Sequence, residues 1–333
     1  MKIGSLFSGY GGLDLAIEDH FNAETAWHAE LEEAPSKVLS HHWPAVPNLK
    51  DVTKVNWAEV EPVDIIAGGF PCQDVSAAGK RAGMVDGTRS NLWGAMRTAV
   101  EVIRPQYVIV ENVRGLLSAK AESEADSNLE HNQGFMGNET DVNLRALGRV
   151  LGDLADLGYD AQWCGVFASD IGAPHSRFRV FILATHTKHN GRFTCKNRGS
   201  NGKAPSTGGR LASITQSNSG KPSGRYNADS RTGDIQTKPA WGAYEPAIRR
   251  WENCLQQPTP RPTEPTGKDG AQQLSPKFVE WMMGLPEGWV TGVPEISREN
   301  QIKMLGNGVV PQQAAHALKI MTEGWKEIDN SND

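Results

Sequence analysis

The stretch KIGSLFSGYGG at residues 2–12 decides the fold class. Residues 2–7 are mostly apolar and predict a buried strand, and the glycines that follow predict a tight turn into a helix that runs through about His20. Glycines in such a turn let the backbone approach a ligand at the N-terminus of the helix. Their spacing differs from the GxGxxG pattern of dinucleotide-binding proteins, so this turn alone leaves the ligand class open.

The same alternation continues through the first half of the chain and returns at its end. Further strands are predicted at 24–30, 64–67, 107–110, 159–167 and 178–184, and helices at 33–41, 91–103, 141–157, 276–283 and 311–325. Strands that alternate with helices predict an α/β fold with a doubly wound, mostly parallel sheet. From about 185 to 270 the composition is typical of loops, although Trp241, Tyr244 and Trp251 predict that part of this segment packs.

Bulk composition excludes several classes of protein. The 333 residues are 38% hydrophobic, enough for an ordinary core, and no apolar stretch approaches the ~18 residues that a membrane span needs. The N-terminus lacks the pattern of a signal peptide. Four cysteines without CxxC spacing argue against a zinc site and against a disulfide scaffold. We therefore expect a protein of the reducing cytoplasm with no metal and no membrane partner.

The net charge of −5 hides an uneven distribution. Residues 184–275 contain 14 Lys and Arg against 6 Asp and Glu, a net charge of +8, so the rest of the chain carries −13. A basic segment on an acidic body is the electrostatic pattern of a nucleic-acid-binding protein. A solvated, flexible insert is the alternative interpretation of this segment.

A cysteine and a glutamate follow two of the predicted strands. Cys72 lies in Gly68-Gly69-Phe70-Pro71-Cys72-Gln73, and Glu111 follows the apolar strand at 107–110. Ligands of open α/β sheets bind at the carboxyl ends of the strands, so both side chains should meet there. A thiolate and an acid fit conjugate addition to a pyrimidine: sulfur attacks carbon 6, ring nitrogen 3 receives a proton, and carbon 5 becomes nucleophilic. Burial should raise the pKa of Glu111 so that it keeps that proton.

Two arginines and two further acids complete the candidate residues. Arg177 and Arg179 share one face of a predicted strand and could clamp a base carbonyl and a phosphate, although such pairs also occur on solvated faces. Glu30 ends the second strand, where it could accept both hydroxyls of a ribose. Asp51 could meet an adenine amino group. Taken alone, each acid could equally be a surface carboxylate.

The order of these motifs resembles the DNA cytosine-5 methyltransferase family. It runs from the Gly-rich turn through Pro-Cys-Gln, Glu-Asn-Val, Arg-x-Arg and a variable basic segment to LGNGVVP at 305–311. Pro-Cys-Gln with Glu-Asn-Val about forty residues on is the most specific part. The resemblance covers the N-terminal half and the last third of the chain. It implies the S-adenosylmethionine-dependent methyltransferase fold, S-adenosylmethionine as cofactor, and a cytosine flipped out of a specific double-stranded DNA site.

The family pattern assigns roles to residues of this chain. Cys72 would be the nucleophile, Glu111 would bind the flipped base, Arg179 would touch the cytosine carbonyl, and Arg177 would support the site. The residues implied to surround the cofactor are Phe7, Ser8, Gly9, Gly11, Gly12, Glu30, Asp51, Val52, Pro71, Leu92, Trp289, Asn307 and Val309. The chain departs from the pattern at His175, where the family usually has Gln, and at Leu31, which is often aromatic.

The resemblance also implies the domain organisation. A catalytic domain would comprise 1–184 and 296–333, and a smaller, loop-rich target-recognition domain would comprise 185–295. The last helix would return to the first strand, so that Asn307 reaches the cofactor. A monomer is expected, with a cognate restriction endonuclease as a candidate partner. Two alternatives stay open, namely an RNA cytosine methyltransferase and a non-catalytic DNA-binding protein. An amino-methyltransferase is disfavoured because the chain has no Pro-Pro pair.

Overall fold

The computed structural model describes residues 1–70, 92–117, 146–189 and 241–323, which all belong to one compact unit. The strands are β1 (Lys2–Leu6), β2 (Glu24–Ala29), β3 (Ile65–Gly68), β4 (Tyr107–Val113), β5 (Tyr159–Phe167), β6 (Phe178–His186), β7 (Thr263–Glu264) and β8 (Gln273–Leu274). The helices are α1 (Gly12–Phe21), α2 (Glu33–His42), α3 (Leu92–Ile103), α4 (Ala146–Asp156), α5 (Glu245–Leu255), α6 (Pro276–Met282), α7 (Arg298–Asn307) and α8 (Pro311–Thr322). Within these ranges, no helix combines the length and the apolar character needed to cross a membrane.

Six strands form one sheet in the order β2-β1-β3-β4-β6-β5. Strands β1 to β4 are parallel to one another, whereas β6 runs antiparallel to both β4 and β5. The carboxyl ends of the parallel strands share one edge. Because β6 runs the other way, its first residues, Phe178 and Arg179, arrive at that same edge. The predicted mostly parallel α/β sheet is confirmed.

Helices cover both faces of the sheet, as the alternation along its strands requires. On β3, Ile66 packs with α3 and α4, whereas Ile65 and Ala67 face α1 and α8. Helix α8 packs against α1 and shares a cluster of buried side chains with Ile3 of β1. The C-terminal helix therefore returns to the first strand, as the family resemblance implies.

One expectation needs correction, and another is confirmed. Strand β4 continues through Val113 instead of ending at Val110, because β6 pairs with it as far as Arg179. Glu111 therefore lies within the strand. In the 185–270 segment, Trp251 is fully buried and Trp241 stacks on Phe278, whereas Tyr244 is 71% exposed, so the prediction that part of this segment packs is confirmed. Residues 241–295 belong to the same compact unit as the sheet, and their assignment to target recognition stays a prediction.

Candidate active site

The Gly-rich turn, residues 8–12, joins β1 to α1, and several residues in and next to it have left-handed backbone conformations. Gly9 and Gly11 have φ angles of 56° and 82°, and even the non-glycine Phe7 has a φ of 55°. The Gly11 N–H donates to the Ser8 carbonyl at 2.9 Å. A Cβ on Gly12 would overlap the Val309 carbonyl, whereas one on Gly9 would meet no atom within 4 Å. The turn is thus packed on its helix side and open beside Gly9.

The carboxylate of Glu30 lies against this open side. It is only 8% exposed, and it accepts hydrogen bonds from the backbone N–H of Gly9 at 2.9 Å and of Glu32 at 2.8 Å. Burial raises the pKa of Glu30, and the two N–H donors counter part of that rise. Each carboxylate oxygen keeps a second lone pair that can accept a further bond.

Asp51 and Leu31 lie at a groove of about 670 Å³ on the same side of the sheet. The carboxylate of Asp51 accepts from the backbone N–H of Thr53 at 3.1 Å and from its hydroxyl at 2.7 Å. Leu31 is 66% exposed, whereas Val52, which follows Asp51 in the sequence, is buried. An exposed apolar side chain next to an acceptor suits a flat ring that carries an amino group.

Glu111 and Arg179 form a buried ion pair at the carboxyl edge of the sheet. Arg179 Nε lies 2.7 Å from Glu111 Oε1, and the side chains are only 13% and 10% exposed. The pair is diagonal across β4 and β6, because Glu111 lies opposite Phe181 and Arg179 opposite Val113. Burial raises the pKa of Glu111, while the positive charges of Arg179 and Arg177 act to lower it.

Asn112, which was not among the predicted site residues, ties two segments of the site together. Its side-chain amide donates to the Phe70 carbonyl at 3.2 Å. Gly69 lies against the carboxylate of Glu111, where an added Cβ would be 2.7 Å from Oε2. Pro71 and Cys72, which follow Phe70, lie outside the described residues. The sequence signal for Asn112 was its place beside Glu111 in the Glu-Asn-Val motif.

Arg177 holds the turn that carries Asn307. Its guanidinium donates to the carbonyls of Gly306 at 2.7 Å and of Gly308 at 2.6 Å, and burial lowers the pKa of Arg177 to about 10. The Tyr10 hydroxyl donates to the Val309 carbonyl at 2.7 Å. These bonds bring the C-terminal turn onto the Gly-rich turn, although nearly 300 residues separate them in the sequence.

The structure brings Glu111, Arg179 and Gly69 together at the carboxyl edge of the sheet, and three further side chains bond to backbone carbonyls of distant segments. The first is Arg177, which donates to the carbonyls of Gly306 and Gly308. The indole of Trp289 donates to the Tyr10 carbonyl at 2.9 Å. His175, at the position where the family usually has Gln, bonds through its ring to the Met282 carbonyl at 3.0 Å. The functional roles of all these side chains stay predictions.

Known proteins similar to this chain include curated bacterial enzymes. Type II methyltransferase M2.BsuMI of Bacillus subtilis is 31% identical over 189 residues, which are 56% of this chain and 42% of that protein. Type II methyltransferase M.NlaIV of Neisseria lactamica is 29% identical over 56% of this chain and 41% of that protein. A DNA N-6-adenine-methyltransferase of Escherichia phage P1 is 37% identical over 35% of this chain and 17% of that protein. Each match thus spans less than half of the relative.

Solved structures with the same architecture cover nearly the whole chain. Entamoeba histolytica methyltransferase EhMeth gives a TM-score of 0.57 at 13% identity, over 97% of this chain and 98% of that chain. The S. pombe Dnmt2 methyltransferase gives 0.55 at 13% identity, over the same shares. At such identities the likeness establishes the methyltransferase fold alone. The family itself follows from the model of the C-5 cytosine-specific DNA methylases, which matches residues 1–323, and this chain belongs to that family.

Proposed function

We propose that this chain transfers a methyl group from S-adenosylmethionine to carbon 5 of a flipped-out cytosine in a specific sequence of double-stranded DNA. The observation that carries the proposal is the buried pair of Glu111 and Arg179 beside the Gly69-Phe70 segment that leads to Cys72. An acid held at the carboxyl edge, with its pKa raised by burial, can deliver a proton to a base. The family match supports the same reaction.

The described residues fit S-adenosylmethionine, which supplies an electrophilic methyl group on a sulfonium when it is bound. Glu30 would accept the ribose hydroxyls through its remaining lone pairs, beside the open face of Gly9. The groove at Leu31 and Asp51 would take the adenine ring. The backbone of the Gly-rich turn would approach the cofactor at the start of α1, where the helix dipole is positive.

The protein's own groups would perform the remaining steps. The thiolate of Cys72 attacks carbon 6 of the cytosine, and Glu111 gives its proton to ring nitrogen 3 as the new C–S bond forms. Arg179, held by its ion pair, donates to the base carbonyl. Once carbon 5 carries the methyl group, a base removes its hydrogen as a proton, and the C–S bond breaks with release of the Cys72 thiolate. Ring nitrogen 3 returns its proton to Glu111, so both side chains regain their starting states.

The partners follow from this reaction. A cytosine inside a duplex exposes no face of carbon 6, so the base must leave the stack. The basic segment, most of which lies outside the described residues, would contact the phosphates. We expect the chain to act as a monomer, with a cognate restriction endonuclease as a candidate partner. Bisulfite sequencing of DNA from cells that express the chain should reveal protected cytosines in one sequence context, and unprotected DNA would contradict the proposal.

A second candidate, methyl transfer to an amino group, is raised by the name of the phage P1 relative. That match covers only 17% of the phage protein. Attack through an exocyclic nitrogen needs neither a cysteine nor a proton donor to the ring. The presence of Cys72 and of a buried Glu111 therefore favours carbon 5.

Replacement of Glu30 should weaken cofactor binding. In Glu30→Ala the ribose hydroxyls lose a charged acceptor, so the dissociation constant for S-adenosylmethionine should rise by about 5- to 150-fold, equivalent to about 1–3 kcal/mol. Titration calorimetry measures it. Glu33→Ala is the matched control, because the Glu33 carboxylate is 86% exposed and makes only a surface ion pair. Equal affinity in Glu30→Ala and the wild type would show that the cofactor site is elsewhere.

DNA affinity should fall steeply with salt and should depend on the basic segment. Each DNA phosphate that the protein neutralises contributes about −0.9 to the slope of a plot of log K for DNA binding against log salt concentration. Simultaneous replacement of Lys196, Arg198, Lys203 and Arg210 by alanine should flatten the slope, which fluorescence anisotropy at several salt concentrations measures. Replacement of the exposed Lys319 should leave it unchanged. If the fourfold variant keeps the slope of the parent, this part of the segment does not contact DNA.

A further inference from the structure

The Gly-rich turn is held by an aromatic side chain that lies far from it in the sequence. The indole N–H of Trp289 donates to the carbonyl of Tyr10 at 2.9 Å. Tyr10 stands between Gly9 and Gly11, the two glycines with positive φ angles. The bond therefore fixes the peptide group between Tyr10 and Gly11, in the middle of the turn.

Trp289 is in turn held by His42, the last residue of α2. The two rings stack with their centroids 3.6 Å apart and their planes 2° from parallel. The ring of His42 also donates through Nε2 to the Trp289 carbonyl at 2.7 Å. Trp43 meets the same indole edge-on at 5.6 Å, and its own ring leaves no room for a Cβ on Gly11. Side chain and backbone of Trp289 are thus both restrained.

We propose that Trp289 and His42 are positioning residues for cofactor binding, which act on the shape of the turn through the Tyr10 carbonyl. The inference rests on the proposed function, since it takes residues 8–12 as a cofactor-binding segment. Gly9 and Gly11 reach their left-handed conformations without steric cost, but glycines also reach many others, so contacts with the surroundings have to hold the turn in one shape. Without the bond from Trp289 the turn relaxes, and the cofactor has to order it again on binding.

The test removes one donor and keeps the ring. Trp289→Phe preserves an aromatic surface for His42 but loses the N–H, so the dissociation constant and the KM for S-adenosylmethionine should rise by about 5- to 10-fold. The kcat at saturating cofactor should stay within about twofold, because the reacting groups are unchanged. Trp251→Phe is the matched control. It loses an indole bond of the same length, 2.9 Å to the Trp281 carbonyl, at a fully buried site, and its cofactor affinity should equal that of the wild type.

A second variant separates positioning from direct contact. His42→Ala should raise the dissociation constant by about 3- to 5-fold, because the indole is then free to turn. In the double variant His42→Ala/Trp289→Phe the two effects should not multiply, since both act through one bond. Unchanged affinity in Trp289→Phe, or independent effects of the two substitutions, would overturn the inference while leaving the proposed function intact. Absence of S-adenosylmethionine binding by the wild type would overturn both.

Discussion

A DNA duplex carrying 5-fluorocytosine at the target base should become covalently attached to this protein at Cys72, and only when S-adenosylmethionine is present. The thiolate adds to carbon 6, Glu111 protonates ring nitrogen 3, and carbon 5 takes the methyl group. Release then requires removal of the hydrogen on carbon 5 as a proton. Fluorine cannot leave as a cation, so the reaction stops with the C–S bond in place. A denaturing gel followed by peptide mapping detects the adduct.

Substitution of the nucleophile should abolish both the adduct and turnover. Cys72→Ala should lower the rate of methyl transfer by about 10⁴-fold or more, whereas its affinity for the cofactor should change little. Cys254→Ala is the matched control, because Cys254 is an exposed free cysteine and should leave the rate within about twofold of the wild type. Turnover of Cys72→Ala within about tenfold of the wild type would refute the assignment of the nucleophile.

The same assay separates the alternative functions. An amino-methyltransferase attacks through the exocyclic nitrogen and forms no bond to a cysteine, and a non-catalytic DNA-binding protein forms none either. An RNA enzyme with the same mechanism would trap fluorinated RNA and leave the DNA free. No adduct on a duplex that contains the bisulfite-mapped site would therefore exclude the mechanism, and an adduct on RNA alone would reassign the substrate.

The elements of the sheet were predictable because each depends on a local pattern. The apolar runs of β1, β3 and β4 indicate strands without any knowledge of the neighbouring strands, and glycines mark the ends of β1 and β3. The place of Glu111 at the carboxyl edge follows from that order. The full length of β4 was not predictable, because Glu111 and Asn112 interrupt the apolar run, and pairing with β6 keeps them and Val113 in the strand.

Contacts between distant segments were beyond the reach of the sequence pattern. Arg177 was predicted to share a strand face with Arg179 and to support the site, but no pattern indicated that its guanidinium bonds to the carbonyls of Gly306 and Gly308. Every residue has a backbone carbonyl, so a sequence motif does not indicate which carbonyl a side chain will bond to. The same holds for the indole of Trp289 on the Tyr10 carbonyl. These bonds join three separate segments around the Gly-rich turn, and they are the part of the candidate site that depends on the tertiary fold.

Loss of the buried carboxylate of Glu280 should destabilise the whole protein. Glu280 is 2% exposed, and it accepts from the backbone N–H groups of Gly288, Val290 and Thr291 at 2.9, 2.6 and 2.9 Å and from the Thr291 hydroxyl at 2.8 Å. In Glu280→Ala these four donors lose their acceptor, and several of them remain buried. The free energy of unfolding should fall by about 3–5 kcal/mol.

The turn at 288–291 also carries Trp289, so Glu280→Ala should also disturb the proposed cofactor site. Urea denaturation measures the free energy of unfolding. Glu287→Ala is the matched control, because Glu287 is exposed and lies one residue from the same turn. This substitution should change the free energy of unfolding by less than about 0.5 kcal/mol. The free energy of unfolding of Glu280→Gln should lie between those of Glu280→Ala and Glu287→Ala, because an amide has one accepting oxygen and a carboxylate has two. A loss below about 1 kcal/mol in Glu280→Ala would mean that water replaces the carboxylate. In that case the turn, and the indole of Trp289 with it, keeps its place without Glu280.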